Sequence, residues 1–473
     1  MPVFQARSLE MIVKTTIHSV ALAVSAILFV VPATHAVSSA GTKQQASEQS
    51  VSDALSLETL INMAIANDAN RTQYHAQSQA MRDTGIASST LKDPTIKVGV
   101  GGLPTDSFRF DEDPMTNISV GLMQQFGRGS TLDLQNKKAQ QQADGIGFQV
   151  EVRELDIANS ITQLWLELGF QQQSERVLLE NRTLMVEMER FIQTNYAIGN
   201  SESQDLIRTQ LQAGKLDEKL HANRQMQNRI VSQLSEWLGA EWLANQPSLT
   251  ADVSADWQRL EQQLGNQQRA NYFQLLNQHP MARNADVQIA ASETQVSIAE
   301  EAYKPQFGVE AMYAHRQAPN MRGAPAPDLL SAYVTMDIPL FTGNRQDKNH
   351  SAAEYQVVAS KSSKDALLSQ MNAKVNALLM DKQNLSERFE RYQQSLLPQA
   401  KARTQAVERG YENNTAQFSD VITAASDELA IEIEALRLET DLNIVNSNLA
   451  YFLGGFNYHA EAPVLSKPTT KQQ

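Results

Sequence analysis

Two stretches of the chain, YAIGNSESQDLI (Tyr196–Ile207) and YENNTAQFSDVI (Tyr411–Ile422), follow one pattern at a separation of 215 residues. Each starts with tyrosine, passes through polar residues that include Gly or Asn, and reaches an aspartate ahead of two aliphatic residues. Polar segments with Gly and Asn are typical of turns, and a carboxylate is favoured at the start of a helix. The pattern therefore predicts the same helix–turn–helix hairpin twice.

Other landmarks of the two halves repeat as well. A Leu-Gly pair ends each half, and the two pairs are again 215 residues apart. Phe126 and Phe341 keep this separation, whereas Pro94 and Pro305 are separated by 211 residues. The four extra residues of the second half therefore lie between Pro305 and Phe341. A constant spacing that is broken by one short insertion indicates an internal duplication.

Each half is predicted to contain a helix, two strands, a long helix, a turn and a further helix. In the first half the helices are expected at 55–90, 131–195 and 206–239, and the strands at 95–102 and 116–124. In the second half the helices are expected at 269–303, 346–410 and 420–454, and the strands at 306–315 and 332–340. The predicted domains are a first repeat at 37–239, a linker (equatorial segment) at 240–268, a second repeat at 269–456 and an irregular tail at 457–473.

The first 36 residues have the features of a secretory signal peptide. Lys14 precedes an apolar run at 20–31, and Thr34 and Ala36 supply small residues ahead of a cleavage site. The run is shorter than the roughly 20 apolar residues that a membrane-spanning helix requires. Residues 1–36 are therefore expected to be removed on export.

Composition argues against several classes of function. The chain has a net charge of −13, so nucleic acid is not an expected partner. It has no cysteine, which excludes disulfides, thiolate metal sites and a catalytic cysteine. The histidines after residue 36 are His75, His221, His279, His315, His350 and His459. They are isolated, and no zinc-binding or nucleotide-binding motif accompanies them, so we expect no enzyme, no metal site and no cofactor.

The two long helices follow a seven-residue hydrophobic period. One series is Val150, Ile157, Leu164, Leu178, Met185 and Ile192; the other two are Leu368, Val375, Phe389 and Leu396, and Met371, Leu378, Leu385 and Tyr392. Such heptads predict coiled-coil packing. A helix of about 65 residues is ~100 Å long, which favours a rod or the wall of a tube. Each shorter helix has about half that length, so two of them placed end to end match one long helix. Pro398 is expected to kink the second long helix.

The four predicted strands alternate apolar and polar residues. The apolar sides include Val98, Val120, Val309 and Val334, and the polar sides include Lys97, Glu310 and Asp337. Alternation is usual in a sheet that packs on a soluble core, but the helical lengths leave no obvious partner for the apolar side. In a transmembrane β-barrel the apolar side faces lipid and the polar side faces the lumen. Four strands cannot close a barrel, since about eight are needed, so closure would require several chains.

Taken together, these features resemble the outer-membrane efflux family of the TolC type. The resemblance covers nearly the whole chain after the signal and is most specific in MDIPLFTGNR (336–345) and in the helix at 420–454. It implies a mainly α fold with a small β part, in which a long α-helical barrel continues into a transmembrane β-barrel completed by trimerisation. It also implies location in the outer membrane with a long periplasmic extension. The implied partners are a homotrimer, outer-membrane lipid, a periplasmic adaptor (membrane fusion) protein and an inner-membrane pump of the RND type.

The resemblance also assigns roles to individual residues. The periplasmic aperture would be formed by Asp420, Tyr411 and Asp205, and the adaptor would contact Tyr196, Gly199, Asn200, Asn414 and Thr415. The barrel lumen would hold Lys97, Glu310 and Asp337. Thr423 stands where the best-known member has a second acidic residue, and Ala416 where that member has an arginine. From the residues alone, Asp205 and Asp420 are also expected to cap their helices.

The function implied is that of an exit duct in a tripartite efflux system, which passes substrates from pump and adaptor to the exterior. The segment DPTIKVGVGGLP (93–104) is closer to the heavy-metal-export branch, so heavy-metal cations are one candidate cargo. Drugs or other small molecules, or proteins in type I secretion, are the alternatives. A secreted coiled-coil structural protein would share the heptads without needing the alternating strands. A periplasmic enzyme is a further alternative, for which the sequence offers no catalytic constellation.

Overall fold

The computed structural model describes residues 55–199, 201–245, 249–265, 272–413 and 415–465. The expected signal peptide and the end of the tail lie outside the described residues. The first repeat contains α1 (Leu57–Asn67), α2 (Ala69–Ser88), β1 (Thr95–Gly101), β2 (Asn117–Gln125), α3 (Thr131–Ala197) and α4 (Ser203–Leu238). The linker contains α5 (Ala240–Asn245) and α6 (Gln258–Gly265). The second repeat contains α7 (Tyr272–Gln278), α8 (Pro280–Glu301), β3 (Gln306–His315), β4 (Leu329–Asp337), α9 (Gln346–Arg391), α10 (Leu397–Glu412) and α11 (Phe418–Leu453).

The long helix α3 organises the helical part of the molecule. Near the strands α3 packs against α2 and α8, and towards the two turns it packs against α4 and α11. The helices α9 and α10 complete the layer by packing against α8 and α11. Two shorter helices therefore lie along each long one, as their lengths predict. No helix in the described ranges is both long and apolar enough to cross a bilayer.

The heptad positions point into this helical layer. In α3 the series is buried throughout, except for Leu164, which is partly buried. In α9 the positions Leu368, Met371 and Val375 are buried, whereas the later positions are half-buried. A π-helical turn at Tyr392–Leu396 joins α9 to α10, with Leu397 N–H donating to the Tyr392 carbonyl. The disturbance expected at Pro398 thus takes the form of a π-helical turn, which is a usual response to a residue without an N–H group.

The helix predicted at 55–90 is two helices, because Asp68 interrupts it. Asp68 has an extended backbone, and its carboxylate accepts from Arg71 N–H at 2.6 Å, so that it caps α2. The same carboxylate binds Arg153 of α3 at 2.7 Å, while the Arg71 side chain donates to the buried Glu154 at 2.6 Å. Aspartate is among the best N-terminal caps, and here the cap is held by α3.

The helix predicted at 269–303 is also interrupted. His279 Nδ1 accepts from Met281 N–H at 3.2 Å and so caps α8, and Pro280 occupies the first helical position, where no N–H is needed. The other ring nitrogen, Nε2, bonds to the Tyr451 carbonyl at 3.2 Å. Burial lowers the pKa of His279 to about 4, which keeps the ring neutral and Nδ1 free to accept.

The four strands form one antiparallel sheet in the order β1-β2-β3-β4. Strand β4 was expected at 332–340 but spans Leu329–Asp337, three residues earlier. The reason is the extent of its partner, since β3 begins at Gln306, which faces Asp337, and reaches Ala314, which faces Leu329. Alternation of apolar residues continues beyond Asp337, but β3 offers no further residues to pair with.

The registers bring most apolar side chains of the four strands to one face. Its members are Ile96, Val98, Val100, Ile118, Val120, Leu122, Phe307, Val309, Ala311, Tyr313, Leu330, Ala332, Val334 and Met336. Val98 and Val334 illustrate its exposure, at 74% and 76%. No helix or loop covers this face within the described ranges, in agreement with helical lengths that leave it no partner.

The linker between the repeats is fixed to the long helices by specific contacts. The amide of Gln172 on α3 donates to the Leu249 carbonyl at 2.7 Å and accepts from Ala251 N–H at 2.9 Å. At Gly169, one turn earlier, an added Cβ would lie 2.5 Å from the backbone carbonyl of Asp252. The sequence did not predict this attachment, because the amide contact and the small residue become meaningful only once the linker crosses α3.

We expect Gly169→Ala to lower the free energy of unfolding by about 1–3 kcal/mol, because the new methyl group overlaps linker backbone that has to shift. Gly147→Ala is the matched control in the same helix, where a Cβ meets nothing within 4 Å. It should raise stability by about 0.5–1 kcal/mol through helix propensity. Thermal unfolding of the purified variants followed by circular dichroism measures both, and shifts of the same sign would contradict the contact.

Candidate functional site

The turn between α3 and α4 forms one tip of the helical layer. The α3 helix ends in a bond from Gly199 N–H to the Tyr196 carbonyl at 3.1 Å, and Gly199 has φ +83°. This left-handed conformation is readily adopted by glycine. After the turn, Asp205 N–H donates to the Glu202 carbonyl at 3.1 Å in the first turn of α4. The side chain of Asp205 is half-buried, and α4 starts after Glu202 without a side-chain capping bond, in contrast to the cap expected from Asp205.

The turn between α10 and α11 is closed by a different set of bonds. The Gly410 carbonyl accepts from Thr415 N–H at 2.7 Å and from the Thr415 hydroxyl at 3.0 Å. Asp420 accepts from Gln417 N–H at 3.2 Å, and the Gln417 side chain caps Asp420 N–H in return. Asp420 thus has the capping geometry expected from its position, and its side chain is exposed.

Tyr411 brings the two turns together. Its ring contacts Phe191 of α3 edge-on, with a centroid distance of 6.3 Å, and Phe418 of α11, at 5.6 Å. Its hydroxyl interacts with Ser201 and lies near Asp205, both from the other turn. The pKa of Tyr411 is raised, mainly by burial and also by the charge of Asp205. Of the three expected aperture residues, Tyr411 and Asp205 are therefore neighbours, and Asp420 is exposed in the first turn of α11.

The residues expected to meet an adaptor are exposed where the structure describes them. Tyr196 is 48% exposed, and Gly199 and Thr415 are exposed at the two turns. Asn200 and Asn414 lie outside the described residues. The sequence reading missed Phe191 and Ser201 as partners of Tyr411, because their contact joins two hairpins and no spacing along the chain reports it.

The polar face of the sheet carries the residues expected in a lumen. Lys97 Nζ binds Glu310 at 2.6 Å, although β2 lies between their strands. The ion pair passes beside Gly121 of β2, where an added Cβ would lie in ordinary van der Waals contact with the Glu310 carboxylate, at 3.6 Å. Asp337 accepts from Gln306 N–H at 2.7 Å and forms an ion pair with Arg128.

Arg128 was not assigned a role from the sequence, yet it joins the sheet to the helices. Besides Asp337 it donates to the Lys304 carbonyl, between α8 and β3. Glu301 at the end of α8 accepts from Ser130 N–H at 3.0 Å, at the start of α3. Gly129 lies between these contacts with φ +51°, and a side chain there would collide with Glu301. The segment GRG in QQFGRG thus connects the sheet to the helices. In the sequence, only its glycine and its arginine point to this role.

A family described as outer membrane efflux protein matches residues 271–455. The matched stretch is the second half of the chain, from α7 to α11. No curated protein sequence is significantly similar to the chain. The match confirms the resemblance expected from the sequence, and it agrees with the expected outer-membrane location.

Solved structures of outer-membrane channels share the fold of this chain. VceC from Vibrio cholerae has a TM-score of 0.68 at 15% identity, over 84% of this chain and 96% of that chain. A membrane protein from Pseudomonas aeruginosa has a TM-score of 0.70 at 15% identity, over 84% and 90%. The open state of the MtrE channel from Neisseria gonorrhoeae gives 0.63 at 14% identity, over 84% and 89%. The expected TolC-like fold is thereby confirmed for both repeats.

We expect Asp420→Asn to weaken the block of single-channel current by divalent cations, because three exposed carboxylates near one axis would attract them. Thr423→Asp, one turn further along the exposed side of α11, should strengthen the block. Planar-bilayer recordings under graded divalent cation measure both changes. If Asp420 only caps its helix, Asp420→Asn should cost about 1 kcal/mol or less of stability, and an unchanged block would remove the aperture role.

Proposed function

We propose that three copies of this chain close into one exit duct, which carries substrate from an inner-membrane pump through a periplasmic adaptor to the exterior. The observation that carries the proposal is the sheet, whose apolar face is wholly exposed and whose four strands end in two open edges. Such a face suits lipid, and a barrel requires more strands than one chain supplies. Three chains would contribute twelve.

The polar face of the sheet supports the orientation of the proposed barrel. In a barrel with an aqueous lumen, charged side chains belong on the inside. Lys97, Glu310 and Asp337 share the face opposite Val98 and Val309, and they are paired with charges or N–H groups. The lumen we propose is therefore lined by fixed ion pairs near the end of the sheet that joins the helices.

The two turns support docking of the adaptor. They lie side by side at the end of the helices remote from the sheet, because Ile192, Leu216, Phe418 and Ile422 share one buried cluster beneath them. Their exposed polar residues do not contribute to the hydrophobic core, so we propose that they bind the adaptor. In a trimer the two turns of each chain would present six near-equivalent contacts, and we propose that the adaptor links them to a pump of the RND type.

The cargo that we propose is cationic, with heavy-metal cations as the specific case. The chain carries a net charge of −13. Glu202, Asp205, Glu412 and Asp420 border the two turns, and all but Asp205 are exposed. A cleft lined by one sign of charge raises the local concentration of counter-ions. The block measured on Asp420→Asn tests whether this charge acts on passing cations.

The two faces of the sheet provide a matched test of the barrel. Val120→Arg and Val309→Arg place a charge on the proposed lipid face, where it costs about 2–4 kcal/mol near the membrane midplane. We expect these variants to be lost from the outer-membrane fraction. Ser119→Arg and Thr335→Arg place the same charge on the opposite face and should assemble and export normally. Equal tolerance of arginine on both faces would contradict the proposed barrel.

The adaptor contact is tested at Thr415. Thr415→Arg adds bulk and charge to the exposed turn, and we expect it to abolish export while the protein still reaches the outer membrane. Thr415→Val is the control, since it removes the 3.0 Å hydroxyl bond to Gly410 but keeps the volume and adds no charge. Export assays and co-purification with the adaptor measure both. Loss of export in both variants would assign the effect to the fold of the turn.

A further inference from the structure

Within the part of the chain that the structure describes, the two outer strands of the sheet have no partner strand on their open sides. β1 and β4 stand at the ends of the strand order. Just beyond β4 the apolar side chains of Ile338, Leu340 and Phe341 are 58%, 73% and 90% exposed. An unpaired strand edge is not tolerated within lipid, so in the proposed channel both edges and these side chains require a partner strand.

The seam between the two repeats shows how one unit meets the next. There β2 of the first repeat pairs with β3 of the second in antiparallel fashion, with Met123 facing Glu310. Phe126 N–H continues the seam by donating to the Phe307 carbonyl at 3.0 Å. Because the second repeat duplicates the first, β4 is equivalent to β2, and β1 is equivalent to β3. Pairing of β4 in one copy with β1 of the next copy would therefore be equivalent to the pairing of β2 with β3 within the chain.

The observed registers turn this relation into a residue pairing. The first residue of β1 faces Met123, and the first residue of β3 faces Asp337, so Met123 and Asp337 are equivalent positions. The first residues of β1 and β3 are 211 apart, and the same spacing makes Gly99 equivalent to Glu310. Because Met123 faces Glu310 within the chain, Asp337 would face Gly99 of the next copy.

We propose that β4 of one copy pairs with β1 of a second copy in this register, a proposal that rests on the trimeric channel proposed above. The apolar pairs across the seam are Met336 with Val100, Ile338 with Val98 and Leu340 with Ile96. The register extends β4 to Phe341, so that the exposed segment after Asp337 becomes strand. Ile338 and Leu340 join the lipid face of the barrel.

The directions of the backbone groups agree with this register. In an antiparallel sheet the N–H and C=O groups of successive residues point to the two neighbouring strands alternately. The hydrogen bond from Phe126 N–H to the Phe307 carbonyl shows that the backbone N–H and C=O groups of the even-numbered residues of β2 point to β3. By the same alternation, the backbone N–H and C=O groups of the even-numbered residues of β1 and β4 point outward, away from the sheet, at its two open edges. The register sets these residues opposite each other, while Pro339, which has no N–H, points away from the seam.

Cysteine pairs on the apolar face provide the test, because the chain has no cysteine of its own. Residues directly opposite in an antiparallel pair have Cα atoms about 4.5–5.5 Å apart, within the range of a disulfide, whereas diagonal neighbours are about 7–8 Å apart. Four double variants combine cysteine at Val98 or Val100 with cysteine at Met336 or Ile338. Each position then occurs once in a facing pair and once in a diagonal pair.

After oxidation in the outer membrane, we expect Val100→Cys with Met336→Cys, and Val98→Cys with Ile338→Cys, to give covalent trimers on denaturing gels. The two diagonal combinations should remain mostly monomeric there, although mild detergent extracts them as trimers. Cross-linking of a diagonal pair in preference to the facing pairs would overturn the register, as would absence of cross-linking in trimers of all four variants. If the single-cysteine variants and the unaltered chain form no trimer, the proposed function itself fails.

Discussion

Unpaired backbone at the edges of a four-stranded sheet is the constraint on which the rest of the structure depends. Lipid offers no hydrogen bonds to a strand edge, so such a sheet is stable in a bilayer only when it is closed. One chain provides an exposed apolar face from Val98 to Val334 but cannot close it. In the proposed trimer, the symmetry that closes the sheet would also govern the helices, because short connections join β2 to α3 and β4 to α9.

Polar contacts fix the position of the helices relative to the sheet. Arg128 and Glu301 tie the starts and ends of helices to the base of the sheet. Asp68 and His279 interrupt two of the predicted helices, and each is held by a helix packed beside it, α3 at Asp68 and α11 at His279. These contacts act where packing of apolar heptads alone would permit one helix to slide along another. Tyr411 has the same effect at the far end, where it joins the two turns.

Much of the fold follows from periodicity, which reports the faces of long elements. The heptads of α3 and the alternation in β3 predicted burial and exposure well, since each repeats a local rule many times. The breaks at Asp68 and His279 escaped prediction because a single capping residue competes with a long helical pattern. The start of β4 depends on the length of β3, and the contact of Gly169 depends on the path of the linker. For the site, sequence placed Tyr411 and Asp205 at two turns, but only the packed hairpins make them neighbours.

The central claim is that the chain becomes a membrane channel only as three copies. Native mass spectrometry of the protein extracted from outer membranes in mild detergent tests it most directly. The account predicts a species with the mass of three chains, which separates into single chains when the detergent complex is denatured. A membrane-inserted single chain, stable on its own and without larger species, would contradict the account, because its sheet would stand in lipid with both edges open.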